Sequence, residues 1–238
     1  MQRRTPPPAW RRVLWLALLS LLALQGYFAL RIALWAIVPP SSTTFMRAAQ
    51  LRLLKSADPP PWQHEWVRYD AISANLKRAV VASEDATFLT NDGVDWSAIR
   101  SAWDKNHSRR YEREDKIVGG STITQQLAKN LFLSPERDYL RKAQELIITY
   151  MLEGILGKRR ILEIYLNSVE WGNGIYGAQA AARTYFHTDA ARLSPWQAAR
   201  LAVMLPAPRI YQKRLYSPYL NARTATIAAR MWDVQIPR

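Results

Sequence analysis

Two adjacent carboxylates, Glu84 and Asp85, follow an apolar stretch that runs from Ala79 to Ala82. A carboxylate packed against apolar side chains is disfavoured in its charged form, so its pKa rises toward the range that suits a general base. An acid at this position is also a common charge at the end of a helix, with no chemical role. The residues alone leave both interpretations open.

A second chemically rich segment is GGSTITQQLAKN, residues 119–130. Its glycines permit a sharp turn, and Ser121 or Thr122 can cap the helix that follows. Apolar residues recur every four positions on that helix and are predicted to face the core. The opposite side carries two polar stripes, which are Gln125 with Lys129 and Gln126 with Asn130. Such a face is either solvated or suited to a polyol that carries phosphate, because amides, a cation and a positive helix end bind such groups.

A third segment, RKAQE, spaces Arg141 and Lys142 about one helical turn from Glu145. Intrahelical ion pairs explain this pattern. The alternative is a set of cations that binds a pyrophosphate, with a carboxylate held among them.

Other kinds of chemistry find little support. His64, His107 and His187 are scattered and the chain has no cysteine, so we assign no structural metal site. The sequence contains no nucleophile-elbow, Walker or dinucleotide-binding motif, which leaves nucleophilic hydrolysis unsupported.

Helical spacing dominates the elements that must position these residues. Helices are predicted near Phe45–Leu54, over 141–156, 158–167 and 177–186, and from a cap at Ser194 to Pro206, with a break at Gly157. Strand-like alternation is scarce, so the fold class is predicted to be mostly α. The segment 104–116 is dense in charge and is predicted to be a surface loop, either a plain solvated linker or a gate over a site.

The N-terminal region is predicted to be a transmembrane anchor over 13–38, which is long enough to span a bilayer and too long for the apolar region of a cleaved signal peptide. Arg31 interrupts it and is expected to reach the outer interface. The basic residues of the 1–12 tail favour a cytoplasmic N-terminus, with a connector over 39–62 and a domain over 63–238 outside. The net charge of +14 then points to anionic lipid or a phosphate-bearing substrate, and this topology argues against nucleic acid.

Taken in order, the motifs resemble the peptidoglycan glycosyltransferase family of the monofunctional biosynthetic transglycosylases, which is related to the first domain of bifunctional penicillin-binding proteins. The resemblance covers about residues 63–235 and is carried by SEDATF (83–88), GGSTITQQLAKN (119–130), RKAQE (141–145), KRRILEIYLN (158–167) and GIYGAQAAARTYF (174–186). Two places depart from the family pattern. Asn91 stands where a histidine is common, and Ala86-Thr87 stand where a polar or basic pair is common, which affects the acceptor pocket.

The resemblance implies a lysozyme-like fold with a small membrane-proximal lobe formed by 39–62 and the 104–118 loop. It also implies polymerisation of lipid II into β-1,4-linked glycan, with inversion and release of undecaprenyl pyrophosphate. No Ser-x-x-Lys or Lys-Thr-Gly motif occurs, so no transpeptidase activity is expected.

By the same resemblance, Glu84 is the base and Glu145 assists the pyrophosphate side, directly or through a divalent ion such as Mg²⁺ or Mn²⁺, and no organic cofactor is implied. Lys129 and Arg141 would neutralise pyrophosphate, with Lys142 either beside them or supporting the site from behind. The remaining expected contacts to sugar or phosphate are Ser121, Thr122, Gln125, Gln126 and Asn130. The expected supporting residues are Asp85, Phe88, Tyr165 and Asn167.

The implied setting is a single-pass protein of the bacterial inner membrane with its catalytic domain outside. Its partners would be lipid II, the growing strand, membrane lipids and proteins of cell-wall synthesis or division. Two alternatives stay open, which are a lysozyme-like enzyme that cleaves glycan and a non-catalytic scaffold of the same fold.

Overall fold

The computed structural model describes residues 9–97, 99–101, 104, 120–134 and 139–238. Within these ranges the chain is mainly helical, which confirms the predicted class. The helices are α1 Ala9–Trp35, α2 Thr44–Leu54, α3 Ala74–Glu84, α4 Ile123–Phe132, α5 Tyr139–Ser168, α6 Ala178–Phe186, α7 Pro195–Met204, α8 Pro208–Tyr211 and α9 Pro218–Arg230. Short 3₁₀ turns cover Tyr69–Ala71, Ala190–Arg192 and Gln212–Arg214. The charged loop predicted over 104–116 lies, apart from Asp104, outside the described residues.

Local sequence explains where the helices begin and break. Ser194 caps α7 in a capping box with Gln197, and Pro195 takes the first helical position, as predicted. Gly157 interrupts α5 with φ of +69°, a left-handed conformation that only glycine adopts at little cost. The predicted break between 141–156 and 158–167 is therefore confirmed.

A small three-stranded sheet lies beside the helices. Its strands are β1 Gln63–His64, β2 Glu170–Gly172 and β3 Ile175–Tyr176, in the order β1-β3-β2. β3 pairs in parallel with β1 and antiparallel with β2. Strands of two or three residues are too short to show an alternating pattern, which is why the sequence did not indicate them.

One hydrophobic core joins the helices that carry the chemically rich segments. α3 packs on α7 and α9, and α4 packs on α5. Leu76, Leu127, Ile148, Leu162 and Leu201 are fully buried in this core. The ends of α3, α4 and α5 are thereby fixed relative to one another by packing.

α1 has 27 residues and is therefore about 40 Å long. It is the one helix in the described part of the chain that is long and apolar enough to cross a membrane. Its first half is exposed, whereas Phe28, Ile32 and Trp35 near its end are buried against the domain. α1 is thus a candidate anchor whose last turns belong to the folded body.

The segment predicted as a connector contributes to the folded body as well. Met46 and Ala49 of α2 are buried with Tyr176 of β3, on which Trp62 stacks at 4.8 Å between ring centroids. The Thr44 hydroxyl donates to the carbonyl of Leu131 at 2.9 Å, which fixes α2 against the end of α4. α2 is therefore part of one wall of the domain.

Candidate active site

Glu84 is the last residue of α3 and is half-buried at the edge of a cleft. Its carboxylate accepts a hydrogen bond from the Gln126 amide at 2.9 Å. Burial raises the pKa of Glu84. The Gln126 hydrogen bond opposes that rise, the charge of Asp85 adds to it and Lys129 opposes it. Because desolvation is the largest of these effects, Glu84 has the elevated basicity that the apolar stretch before it predicted.

Gln126 is itself fixed by Tyr165 of α5. The Tyr165 hydroxyl donates to Gln126 Oε1 at 2.9 Å, so the amide directs its NH₂ group at Glu84. Tyr165 is buried, and burial followed by the charges of Glu84 and Asp85 raises its pKa well above 10, which keeps the hydroxyl protonated as a donor. The chain Tyr165–Gln126–Glu84 therefore links three helices.

Asp85 occupies a different environment from its neighbour. It is buried, and it accepts hydrogen bonds from the Ile123 backbone N–H at 3.1 Å, from Asn91 at 2.9 Å and from Thr87 at 3.2 Å. Burial raises its pKa in spite of these donors. A carboxylate that receives the first N–H of α4 fixes that helix beside α3. Asp85 therefore has the position of a structural residue.

The departure at Asn91 lies behind the carboxylates. Its side chain donates to Asp85, and its side-chain oxygen accepts from the Gly93 N–H at 3.0 Å and from Lys158 at 3.2 Å. The Lys158 ammonium also lies 4.8 Å from the centre of the buried Phe88 ring. Asn91 thus supports the loop that follows α3, and Phe88 lies where a supporting residue was expected.

A cavity of about 170 Å³ opens beside Glu84. It is lined by Glu84, Asp85, Ala86, Thr87, Asp95, Gly120, Ser121 and Thr122. The departure at Ala86-Thr87 therefore forms part of the cavity wall, with both residues exposed. Ser121 is also exposed there, at the start of α4.

Thr122 and Gln125 are used by the protein itself. They form a capping box in which Thr122 Oγ1 accepts from the Gln125 N–H and Gln125 Oε1 accepts from the Thr122 N–H, both at 3.1 Å. Both residues are buried, and the Thr122 hydroxyl donates to the carbonyl of Gly93 at 2.6 Å. The expectation of an outward stripe through Gln125 is therefore wrong, because this side chain folds back on the helix N-terminus.

The second stripe of α4, Gln126 with Asn130, is half-exposed, and so is Lys129. Lys129 lies 5.9 Å from the centre of the Phe45 ring of α2 and is close enough to Glu84 to lower its pKa. One amide pair and one cation of the predicted set therefore share a face with the carboxylate.

Glu145 forms a separate cluster on α5. It is buried, and its two oxygens accept from Arg141 at 3.0 Å and from Lys142 at 2.5 Å. The Nε atom of Arg141 is buried and has no hydrogen-bond partner among the described residues. The ion pairs predicted from the spacing exist, and the cluster still holds an unmet donor.

Gly93, in the loop after α3, lies against Thr149 of α5, one turn after Glu145. The Thr149 hydroxyl donates to the carbonyl of Glu145 one turn earlier on α5. Gly93 has φ of +84°, and a Cβ at this position would lie 2.8 Å from the Thr149 methyl and 2.7 Å from Glu153 Cγ. Only glycine lets the loop after α3 approach α5 this closely. Gly93 and Glu153 were not singled out from the sequence, although Glu153 accepts from Thr124 at 2.6 Å and from Lys158 at 2.8 Å. For Gly93 the available signal was the Asn-Asp-Gly run at 91–93, which is typical of a turn.

Asn167 is buried and hydrogen-bonds to backbone from another segment of the chain. Its side chain exchanges two 2.9 Å hydrogen bonds with the backbone of Val67, and its own carbonyl is hydrogen-bonded to His64 at 3.0 Å. Burial lowers the pKa of His64, although this backbone contact opposes the shift. Asn167 therefore ties the segment after β1 to the end of α5.

The donor set does not suit a divalent ion at Glu145. Both of its oxygens are bound by cationic side chains, and no cluster of three metal-ligating residues occurs in the described ranges. We derive no chemical step through a metal.

A desolvated carboxylate at the edge of a cleft is the kind of group that enzymes acting on glycosidic bonds use as an acid or a base. Comparison with known proteins narrows this class. The profile of the Transglycosylase family matches residues 52–232. The biosynthetic peptidoglycan transglycosylases of Burkholderia vietnamiensis (strain G4 / LMG 22486) and Burkholderia orbicola (strain MC0-3) are each 56% identical to this chain, over 217 and 218 residues, covering 91% of it and 87% of the relative. The chain belongs to the transglycosylase family, and its helices form the lysozyme-like fold that the resemblance implied.

Proposed function

We propose that this protein polymerises lipid II into β-1,4-linked glycan strands, with inversion at the anomeric carbon and release of undecaprenyl pyrophosphate. The relatives are named biosynthetic peptidoglycan transglycosylases, and that activity is carried over to this chain. The observation that carries the proposal is the pair of clusters, a desolvated Glu84 at the cleft and a cation-rich Glu145 on the neighbouring helix. No transpeptidase activity is included.

Glu84 is the proposed general base. As the 4-hydroxyl oxygen of the acceptor attacks the anomeric carbon of the donor, its proton passes to the Glu84 carboxylate. A single displacement of this kind inverts an α linkage to β. A raised pKa makes the ionised carboxylate a stronger base than an ordinary glutamate, and the Gln126 amide keeps it oriented.

The cations complete the other half of the reaction. The bond from the anomeric carbon to the pyrophosphate oxygen breaks, and negative charge develops on the leaving group. Arg141 and Lys142 would neutralise that charge, and the unmet Nε donor of Arg141 is the kind of group that a phosphate oxygen satisfies. Glu145 acts directly, by holding both cations in place. Lys129 contributes a further positive charge near Glu84.

The remaining predicted site residues fall into two groups, which are residues proposed to contact substrate and residues proposed to support the site. Ser121 lines the cleft, Gln126 contacts Glu84, and Asn130 lies with Gln126 on the half-exposed stripe of α4. These three residues are proposed to contact sugar or phosphate. Thr122 and Gln125 are proposed to support the helix N-terminus, because their polar atoms are already paired. Asp85, Phe88, Tyr165 and Asn167 are proposed to support the site from behind.

The proposed setting is the bacterial inner membrane, with α1 as a single-pass anchor and the domain outside. Lipid II and the growing strand carry long apolar tails, so the site must lie at the bilayer surface. Leu51 and Leu54 of α2 are strongly exposed, which suits contact of this lobe with membrane lipids. Proteins of cell-wall synthesis or division are the proposed partners.

The alternatives make different demands. A lysozyme-like hydrolase needs an acid at the cleft and no binding set for pyrophosphate, so the Arg141–Glu145 cluster favours transfer. A scaffold needs no basic Glu84, and its desolvated position would then have no use.

The test offers the detergent-purified full chain two labelled substrates, lipid-linked disaccharide pentapeptide and preformed glycan without lipid pyrophosphate. The proposal predicts long products from the first and no shortening of the second when products are separated by size. Shortened glycan would favour the hydrolase. A folded protein that binds the lipid-linked substrate and makes no polymer would favour the scaffold.

A further inference from the structure

Among the described residues, the hydrogen bonds that join a side chain of α1 to a side chain elsewhere in the protein are those between Gln25 and Gln144. Arg160 of α5 also donates to the backbone carbonyl of Trp35, at the end of α1, at 2.8 Å. Gln25 Nε2 donates to Gln144 Oε1 at 2.9 Å, and Gln144 Nε2 donates to Gln25 Oε1 at 3.0 Å. Gln144 directly precedes Glu145 in α5. The amide pair therefore joins the apolar helix to the turn that carries the cations.

The position of Gln25 on α1 follows a regular seam. Gln25, Phe28, Ile32 and Trp35 are spaced 3, 4 and 3 residues apart, and the last three are buried against the domain. Phe28 and Trp35 each lie 5.0 Å from the Phe132 ring of α4. Gln25 is the single polar member of this seam, the position at which a polar residue typically fixes the register between helices.

In a bilayer, the register between α1 and the domain depends strongly on polar contacts such as that of Gln25. Lipid tails are as apolar as the seam, so the apolar contacts provide little preference for one alignment over another. An amide in the apolar span is costly unless it is paired, and Gln144 satisfies both of its hydrogen-bonding groups. Together with the contact between Arg160 and the Trp35 carbonyl, the amide pair thus selects one alignment of α1 with α5.

The alignment of α1 with α5 sets the depth of the Arg141–Lys142–Glu145 cluster relative to the membrane. Gln25 lies six residues before Arg31, which is about 9 Å along the helix. Arg31 contacts the rings of Tyr27 and Trp35, where its charge can reach the interface. Leu140 and Ile147 of α5 are exposed on either side of the cation cluster, as expected for a helix end that meets lipid. The pair therefore holds Arg141 and Glu145 at a defined height near the interface.

We propose that Gln25 is a positioning residue, which through Gln144 sets the depth at which the Arg141–Lys142–Glu145 cluster meets the pyrophosphate of a membrane-embedded lipid substrate. This inference rests on the proposed function. It assigns the apolar helix a role in substrate binding beyond anchoring.

The test uses the full chain reconstituted in phosphatidylethanolamine and phosphatidylglycerol vesicles with lipid-linked disaccharide. Gln25→Leu keeps the helix apolar and removes the pair, and Gln144→Leu removes it from the other side. Ser20→Leu, on an exposed part of α1, is the matched control. We expect Gln25→Leu to raise KM about 5-fold with little change in kcat, Gln144→Leu to do the same, and the double variant to be no worse than either. Ser20→Leu should behave like wild type.

A short-tailed substrate in detergent separates positioning from folding. Depth has no meaning in that assay, so Gln25→Leu should match wild type there and should keep the same Tm. Equal KM for Gln25→Leu and Ser20→Leu in vesicles would overturn the proposal, and so would a defect that persists with the short-tailed substrate or accompanies a lower Tm. Absence of polymer from the wild-type chain would count against the proposed function, and the inference would fall with it.

Discussion

Glu84, at the end of α3, and Glu145, in the second turn of α5, place the same side chain in two different environments. Glu84 has an amide as its hydrogen-bond donor and is desolvated, so the pKa of its carboxyl is raised. Glu145 is more deeply buried and is held by two cations. In the proposed mechanism the hydrogen-bond donor beside each carboxylate suits its role, because a neutral amide leaves Glu84 available as a base whereas two cations hold Glu145 as their counter-ion.

The largest effect on activity is expected from a substitution of Glu84. Glu84→Gln keeps the shape and the contact with Gln126 and removes the base, so kcat for polymerisation should fall about 10³-fold. Binding of the lipid-linked substrate should be largely unchanged. Asp70→Asn, at an exposed carboxylate paired with Arg159, is the matched control and should polymerise like wild type. Comparable polymer from Glu84→Gln and wild type would remove Glu84 from the mechanism.

The second cluster is tested at Arg141. Arg141→Ala should weaken binding of the lipid-linked substrate about 10- to 100-fold, since charge-assisted contacts to phosphate are lost. Binding of a glycan without pyrophosphate should change far less. Arg159→Ala, an exposed arginine, provides the control. Equal weakening of both ligands by Arg141→Ala would contradict a role in binding pyrophosphate.

A smaller effect is expected on stability. A glutamate whose pKa is raised in the folded state stabilises the fold below its unfolded pKa, and that contribution is lost as pH rises through the folded pKa. At pH 7 the ionised Glu84 therefore carries a desolvation cost that glutamine lacks. Glu84→Gln should raise Tm at pH 7 by roughly 2–4 °C, the shift that about 1 kcal/mol produces in a domain of this size.

Thermal unfolding at several pH values checks the sign. The difference in Tm between Glu84→Gln and wild type should shrink as pH falls through the raised pKa of folded Glu84 toward about 4.5, the usual pKa of the group. A difference that is independent of pH would mean that the desolvation of Glu84 is not its cause.

Much of the scaffold follows from the sequence. Helix caps at Ser194 and Thr122 and the break at Gly157 depend on local chemistry, so a sequence pattern predicts them directly. The desolvation of Glu84 was also predictable, because Glu84 follows an apolar stretch of α3 in which Ala79, Val80 and Val81 are buried.

Other features depend on which elements meet in space. Helical periodicity places Gln125 on the polar face of α4, and its side chain is buried because it forms the capping box with Thr122. The roles of Asn91, Gly93 and Gln144 arise from contacts with segments 29 to 119 residues away or with a loop of unusual conformation. Local periodicity carries no information about such contacts.

In the proposed mechanism Glu84 acts as a base whose pKa is raised by desolvation and lowered by the Gln126 amide. The pH dependence of kcat for wild type and Gln126→Leu tests it most directly, with Asn130→Leu on the same stripe as control. Gln126 stabilises the ionised form of Glu84, so its loss should raise that pKa further and move the rising limb of kcat to higher pH, with activity recovering there. Asn130→Leu should leave the limb in place. An unchanged limb in Gln126→Leu would show that Glu84 is not the group whose ionisation controls the reaction.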